Sequence, residues 1–104
     1  MKMKLSLIAL LLMSSFWSYA EEVWIDVRTP EEFNEGHVSG SLNIPHDLII
    51  TEIQSLQLTK DANIKLYCRS GRRSGLALLD LTQLGYTNVE NVGGFEEAQA
   101  RLNQ

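Results

Sequence analysis

A single α/β domain, built as a small parallel β-sheet flanked by helices, is the architecture to which the sequence points. Short strand-like runs at residues 23–27, 64–67 and 89–92 alternate with stretches whose apolar residues recur at helical spacing. Strands that alternate with helices imply right-handed crossovers and parallel pairing, with helices on both faces of the sheet. The length of 104 residues leaves room for one domain and no more.

The elements follow in order. Residues 23–27 are short, β-branched and carry one aromatic, which makes a buried strand. A helix start comes next: Thr29 as N-cap, Pro30 in the first helical position, Glu32 completing a Thr-x-x-Glu capping box and Gly36 as terminator. Residues 41–44 make a second short strand closed by Pro45, and residues 47–56 place apolar side chains at 48, 49, 50, 53 and 56, as a helix with one buried face would. A polar loop at 59–63 leads to the third strand, 64–67, which delivers Cys68 at its carboxyl end. Apolar residues at 76, 77, 78, 79, 81 and 84 then predict a buried helix ended by Gly85. Residues 89–92 are the last strand and Gly93-Gly94 a turn; Phe95, Ala98 and Leu102 mark one face of a final helix. Trp24 and Phe95 are expected in the core.

The first 20 residues stand apart. Lys2 and Lys4 precede an almost unbroken apolar run, 5–13, and small residues close the segment at Ala20. That is the pattern of a secretory signal peptide, residues 1–20, cleaved to leave a domain at 21–104. The alternative is a retained anchor, but residues 5–17 fall short of the ~20 needed to cross a bilayer. Export through such a leader implies a periplasmic protein with no stable membrane association after cleavage.

Residues 21–104 hold 7 basic and 13 acidic side chains, a net charge of −6. That balance excludes a general nucleic-acid or anionic-membrane surface. Against it, Arg69, Arg72 and Arg73 crowd into the segment from Cys68 to Ser74, with Ser70 and Gly71. Ligands of parallel sheets lie off the carboxyl ends of the strands, where Asp26, Cys68 and Gly93 fall. A loop there that turns its N–H groups inward ahead of a helix makes an anion-binding nest, and such a field favours thiolate over thiol. Cys68 is the chain's one cysteine, so an exported domain this small lacks the usual disulfide staple. The bland reading is a buried, inert core cysteine beside a solvated cationic face. The density of Arg, Ser and Gly around it favours a reactive thiol.

At these residues the sequence resembles the rhodanese family of single-domain sulfurtransferases. Asp26-Val27-Arg28 with Glu31-Glu32-Phe33, and Gly36-His37-Val38-Ser39-Gly40-Ser41-Leu42-Asn43-Ile44-Pro45, resemble the family's N-terminal signature. The run from Cys68 to Ser74 resembles its active-site loop, and Gly93-Gly94-Phe95 its C-terminal mark. The likeness spans residues 23–104 and is greatest to the short exported phage-shock type. It implies a rhodanese-like fold with a shortened N-terminus, since a front strand and helix found in many relatives have no counterpart before Val23. Ala98 stands near a position where relatives often carry an aromatic.

The implied activity is thiosulfate sulfurtransfer: Cys68 takes the sulfane sulfur of thiosulfate as a persulfide and passes it to cyanide or a thiol. By the same resemblance Arg69, Arg72 and Arg73 hold the sulfonate, and Ser70, Gly71 and Ser74 supply loop hydrogen bonds, with no metal and no organic cofactor. A second class, a non-catalytic rhodanese-like module that binds a partner or senses redox state, would use the same pocket without turnover. A third, a cysteine phosphatase or arsenate reductase, needs five residues between Cys and the clamping Arg, whereas Arg73 comes after four. Asp26, Arg28 and the Glu of the following helix are expected to brace one another as scaffold. His37 and His46 lack zinc spacing with Cys68, and His37 is expected to hydrogen-bond in the turn before the second strand.

Overall fold

The computed structural model describes residues 22–103. The expected signal peptide at residues 1–20 and its cleavage point lie outside the described residues. Four strands, β1 (Glu22–Asp26), β2 (Leu42–Asn43), β3 (Asn63–Cys68) and β4 (Val89–Gly94), form one sheet in the order β2-β1-β3-β4, every neighbouring pair parallel. The helices are α1 (Pro30–Glu35), α2 (Ile49–Glu52, between 3₁₀ turns His46–Leu48 and Ile53–Leu56), α3 (Arg72–Gln83) and α4 (Phe95–Leu102).

Alternation along the strands divides the core in two. Ile25, Ile64, Leu66 and Cys68 point to one face, where they meet Ile49 and Ile53 of the α2 segment and Ala77 and Leu81 of α3. Trp24 and Tyr67 point to the other, where they pack with Val38 and with Ala98 of α4, and Phe95 covers them in part. Ala98 is fully buried, so the small residue fits flush against the sheet where an aromatic would need more room.

Most expected elements form, and the differences have local causes. The expected helix at 47–56 is broken into 3₁₀, α and 3₁₀ turns, because only Ile49 and Ile53, one helical turn apart, find a buried seat while Leu48 and Ile50 stay exposed. The second strand shrinks to two residues. Gly93-Gly94 is not a turn: it is the end of β4, pairing Tyr67 with Gly93 and Cys68 with Gly94. A Cβ on Gly94 would stand 2.5 Å from the Arg69 carbonyl oxygen, so glycine lets the strand run flush against the cysteine loop. Helix α3 begins at Arg72, inside the segment whose polarity predicts a loop.

Candidate active site

Strand β3 ends at Cys68, which is 1% exposed, and the chain turns back at once through Arg69 and Ser70. Ser70 bridges to Gly94, and Gly71 takes a left-handed conformation with φ 99° as the N-cap of α3. That conformation is ordinary for glycine and strained for other residues. It brings the Gly71 N–H to 2.9 Å from Cys68 Sγ, while the Ser74 hydroxyl lies 3.5 Å from the same sulfur. The amino end of α3 thus faces the sulfur with its unpaired donors and the positive end of its dipole.

Two effects oppose each other on the thiol. Burial pushes its pKa up; hydrogen bonds from the Ser74 hydroxyl and from the backbone N–H groups of Ser74, Ser70 and Gly71 pull it down. The donors prevail together, and the pKa falls below the ordinary thiol value. Cys68 is therefore both a core residue on its β3 side and an activated sulfur on its loop side.

The three loop arginines are not equivalent. Arg73 is half-buried and forms a two-pronged ion pair with Glu32 of α1, Nη1 to Oε1 at 2.8 Å and Nη2 to Oε2 at 3.0 Å. This pair, with bonds from Thr29, holds the Glu32 carboxyl down at about 2. Arg69 and Arg72 are exposed. Arg69 lines a cleft of about 570 Å³ together with Arg28, Glu32, Glu35, Phe95, Glu96 and Glu97. Ser70 is exposed, Gly71 half-buried and Ser74 fully buried.

The scaffold is joined differently from expectation. Asp26 and Arg28 do brace each other, with Arg28 Nη2 at 2.6 Å from Asp26 Oδ2 and Nε bonded to both carboxylate oxygens. Arg28 also donates to the Gly36 carbonyl at 2.7 Å and lies over the Phe95 ring at 4.7 Å. Glu32 acts on Arg28 through its charge but makes no hydrogen bond to this pair. It closes the Thr29 capping box and turns its oxygens to Arg73, 41 residues away, because α1 packs beside the cysteine loop. The capping box is legible in the sequence; the long-range ion pair has no local signal.

Asn91 is a site neighbour that the sequence does not single out. Its Oδ1 accepts from the Ser74 hydroxyl at 2.7 Å and from the Gly93 N–H at 3.0 Å, and its Nδ2 donates to the Gly71 carbonyl at 2.9 Å. In the run Val89-Glu90-Asn91-Val92 it is one of two polar residues, so the local sequence carries no distinct signal for it. His37 behaves as expected for a turn residue, with Nδ1 2.9 Å from the Phe33 carbonyl and its ring stacked on Phe33 at 3.6 Å. Among the described residues no three His, Cys, Asp or Glu side chains converge as metal ligands would.

The rhodanese-like domain model matches residues 13–101, so the chain belongs to the rhodanese-like domain family. It is 43% identical to thiosulfate sulfurtransferase PspE of Escherichia coli (strain K12) over 90% of each chain. It is 40% identical to a sulfurtransferase of Allochromatium vinosum, covering 74% of this chain and 70% of that one. Among solved structures it is similar to a rhodanese with anions from E. coli, at TM-score 0.71 and 43% identity over 74% of this chain and 91% of the other. It is also similar to the human single-domain sulfurtransferase TSTD1, at TM-score 0.68 and 25% identity over 88% and 93%.

Proposed function

We propose that the protein is a thiosulfate sulfurtransferase that carries sulfur on Cys68. The observation that carries this reading is the convergence of the Gly71 N–H and the Ser74 hydroxyl on a buried sulfur whose pKa is lowered. Relatives named for the same activity support it.

In the first half-reaction the Cys68 thiolate attacks the sulfane sulfur of thiosulfate. A bond forms between Sγ and that sulfur, the sulfur–sulfur bond to the sulfonate breaks, and sulfite leaves with the electron pair. The backbone N–H groups of the loop then stabilise the persulfide anion, whose charge lies on the outer sulfur. A nucleophilic acceptor, a thiol or cyanide, attacks the outer sulfur and returns Cys68 to the thiolate. Exposed Arg69 and Arg72 are suited to meet the sulfonate at the loop mouth, and Ser70 adds a backbone N–H. Arg73, committed to Glu32, acts on the same anion as a fixed positive charge behind the loop. The donor and acceptor are small molecules, and neither a cofactor nor nucleic acid is required.

The leader at residues 1–20 supports export, with the domain at 21–104 working in the periplasm. No helix among the described residues is long and apolar enough to cross a membrane. Export is tested by osmotic-shock fractionation and amino-terminal sequencing, with release into the shock fluid and a first residue of Glu21 expected.

Activity is tested by following thiocyanate formation from thiosulfate and cyanide. The expected result is saturable turnover with alternate release of sulfite and thiocyanate, reduced at least ~10³-fold by Cys68→Ser. Absence of thiosulfate-dependent turnover would overturn the reading and favour a binding role for the same pocket.

A further inference from the structure

We propose that Asn91 is a positioning residue for the sulfur site: it anchors Gly71 and gives the Ser74 hydroxyl an alternative acceptor, so that this hydroxyl can turn to Cys68 Sγ when the sulfur is charged and away when it is not. The proposal rests on Cys68 being the sulfur carrier and deepens that reading by assigning what holds the cradle in shape.

The geometry fixes the amide in one orientation. Asn91 stands between a backbone donor, the Gly93 N–H at 3.0 Å from Oδ1, and a backbone acceptor, the Gly71 carbonyl at 2.9 Å from Nδ2. Neither neighbour can reverse its role, so the oxygen must face Gly93 and Ser74 and the nitrogen must face Gly71. The sheet prepares this placement. Leu66 pairs with Asn91 and Tyr67 with Gly93, so Val92 is an extra residue in β4 at the level of the active-site loop. A bulge of this kind bends its strand and re-aims the side chains beside it.

Ser74 Oγ has one proton and three acceptors in reach: Asn91 Oδ1 at 2.7 Å, the Gly71 carbonyl at 3.1 Å and Cys68 Sγ at 3.5 Å. The short bond to Asn91 is the better one beside an uncharged sulfur. An anionic sulfur attracts the hydroxyl proton more strongly, since bonds to charged acceptors are about twice as strong as neutral ones. When the hydroxyl turns, Asn91 Oδ1 keeps the Gly93 N–H and so is not left as a buried orphan. Both orientations are therefore satisfied, and a rotation of one hydroxyl follows the charge of Sγ: toward it as thiolate, and away when persulfide formation moves the charge to the outer sulfur. No proton is transferred and no bond is broken in this motion. The Gly71 anchor acts on the other donor: a fixed Gly71 carbonyl limits movement of the residue whose N–H makes the 2.9 Å contact to sulfur. The charged side chains facing this group are Arg73, which acts on Cys68 and is held by Glu32, and Glu97 of α4, which accepts from the Gly94 N–H.

The test is an ultraviolet titration of the Cys68 thiolate in the purified protein, which needs no turnover and so is independent of the sulfurtransferase reading. Asn91→Asp keeps the shape and both acceptor contacts, but it turns an oxygen toward the Gly71 carbonyl and adds a negative charge beside the sulfur. It is expected to raise the thiolate pKa by about one unit. The rate of thiosulfate-dependent persulfide formation should fall on the acid side and recover at higher pH, with its acid limb displaced by the same amount. A merely structural role would lower the rate equally at all pH values. Asn91→Ala, which adds no charge, is read with and without Ser74→Ala: losing the acceptor frees the hydroxyl for the sulfur and lowers the pKa, losing the Gly71 anchor raises it, and only the second effect is expected to remain once Ser74 is absent. An unshifted titration in Asn91→Asp, an Asn91→Ala shift that is the same with and without Ser74, or a pH-independent loss overturns the proposal. If neither protein nor variant forms a persulfide while the titrations shift as expected, the sulfurtransferase reading fails and the positioning role stands.

Discussion

Burial and hydrogen bonding pull the Cys68 thiol in opposite directions, and the loop donors decide the outcome. Because the pKa is lowered, Cys68 holds more thiolate below the ordinary thiol value than a free thiol would, and that thiolate is lost as pH falls through the lowered value. The rate of persulfide formation should therefore decline on acidification, with its midpoint below the ordinary thiol value. Ser74→Ala removes the side-chain donor and should move the acid limb upward by about 1 unit, the equivalent of one hydrogen bond to a charged group. Stopped-flow measurement of persulfide formation against pH checks this. The residue types of the site are legible in the sequence, since a cysteine at a strand end followed by Arg, Ser and Gly is hard to reconcile with an inert apolar pocket. The unequal duties of the arginines are not legible. That Arg73 belongs to Glu32 depends on α1 packing beside the loop, which no local pattern encodes.

At the scale of elements, the cysteine loop is held between two neighbours, α1 through the Glu32 ion pair and β4 through Gly93 and Gly94. Glu32→Gln weakens the pairing with Arg73 and the acceptor of the capping box together, and should destabilise the protein by about 1 kcal/mol in urea unfolding. Gly94→Ala is expected to cost more, about 2 kcal/mol or above, because the added Cβ would lie 2.5 Å from a backbone oxygen that has no freedom to retreat. A Gly94→Ala protein with unchanged stability would show that the loop and β4 are not in this contact. Paired glycines usually mark a turn, and for that reason the sequence predicts one at Gly93-Gly94. Here they serve close approach, and only the tertiary contact distinguishes the two uses. The capping box of α1 and the apolar face of α3 are readable because both signals are local.

For the whole molecule, the two core clusters meet across a four-stranded sheet whose carboxyl edge is tied by the buried Asp26 and Arg28 pair. Arg28→Leu leaves Asp26 as an unpaired buried charge and should cost about 3–5 kcal/mol, enough to lower the melting temperature sharply. Stability should also depend on acid. Glu32 and Glu90 are both held at about 2, Glu32 by Arg73 and Glu90 by Arg101 and Lys65, below a usual value of 4.5. Depressed carboxyls stabilise the fold fully above their unfolded pKa and lose that contribution as pH falls through the folded value. Unfolding free energy should therefore decline between pH 4.5 and about 2, with a smaller slope in Glu32→Gln. The alternation that sets the parallel sheet is evident from the order of strand and helix patterns. The two-residue β2 and the broken helix around Ile49 are not, because their form depends on which apolar residues find a buried seat.

If Cys68 is the sulfur carrier, this fold delivers one sulfur atom to one side chain, and the protein's mass after incubation with thiosulfate records it. Mass spectrometry should find one added sulfur, located on Cys68, absent in Cys68→Ser and removed by cyanide. An unmodified Cys68 under those conditions, or a sulfur held elsewhere on the chain, would refute that role.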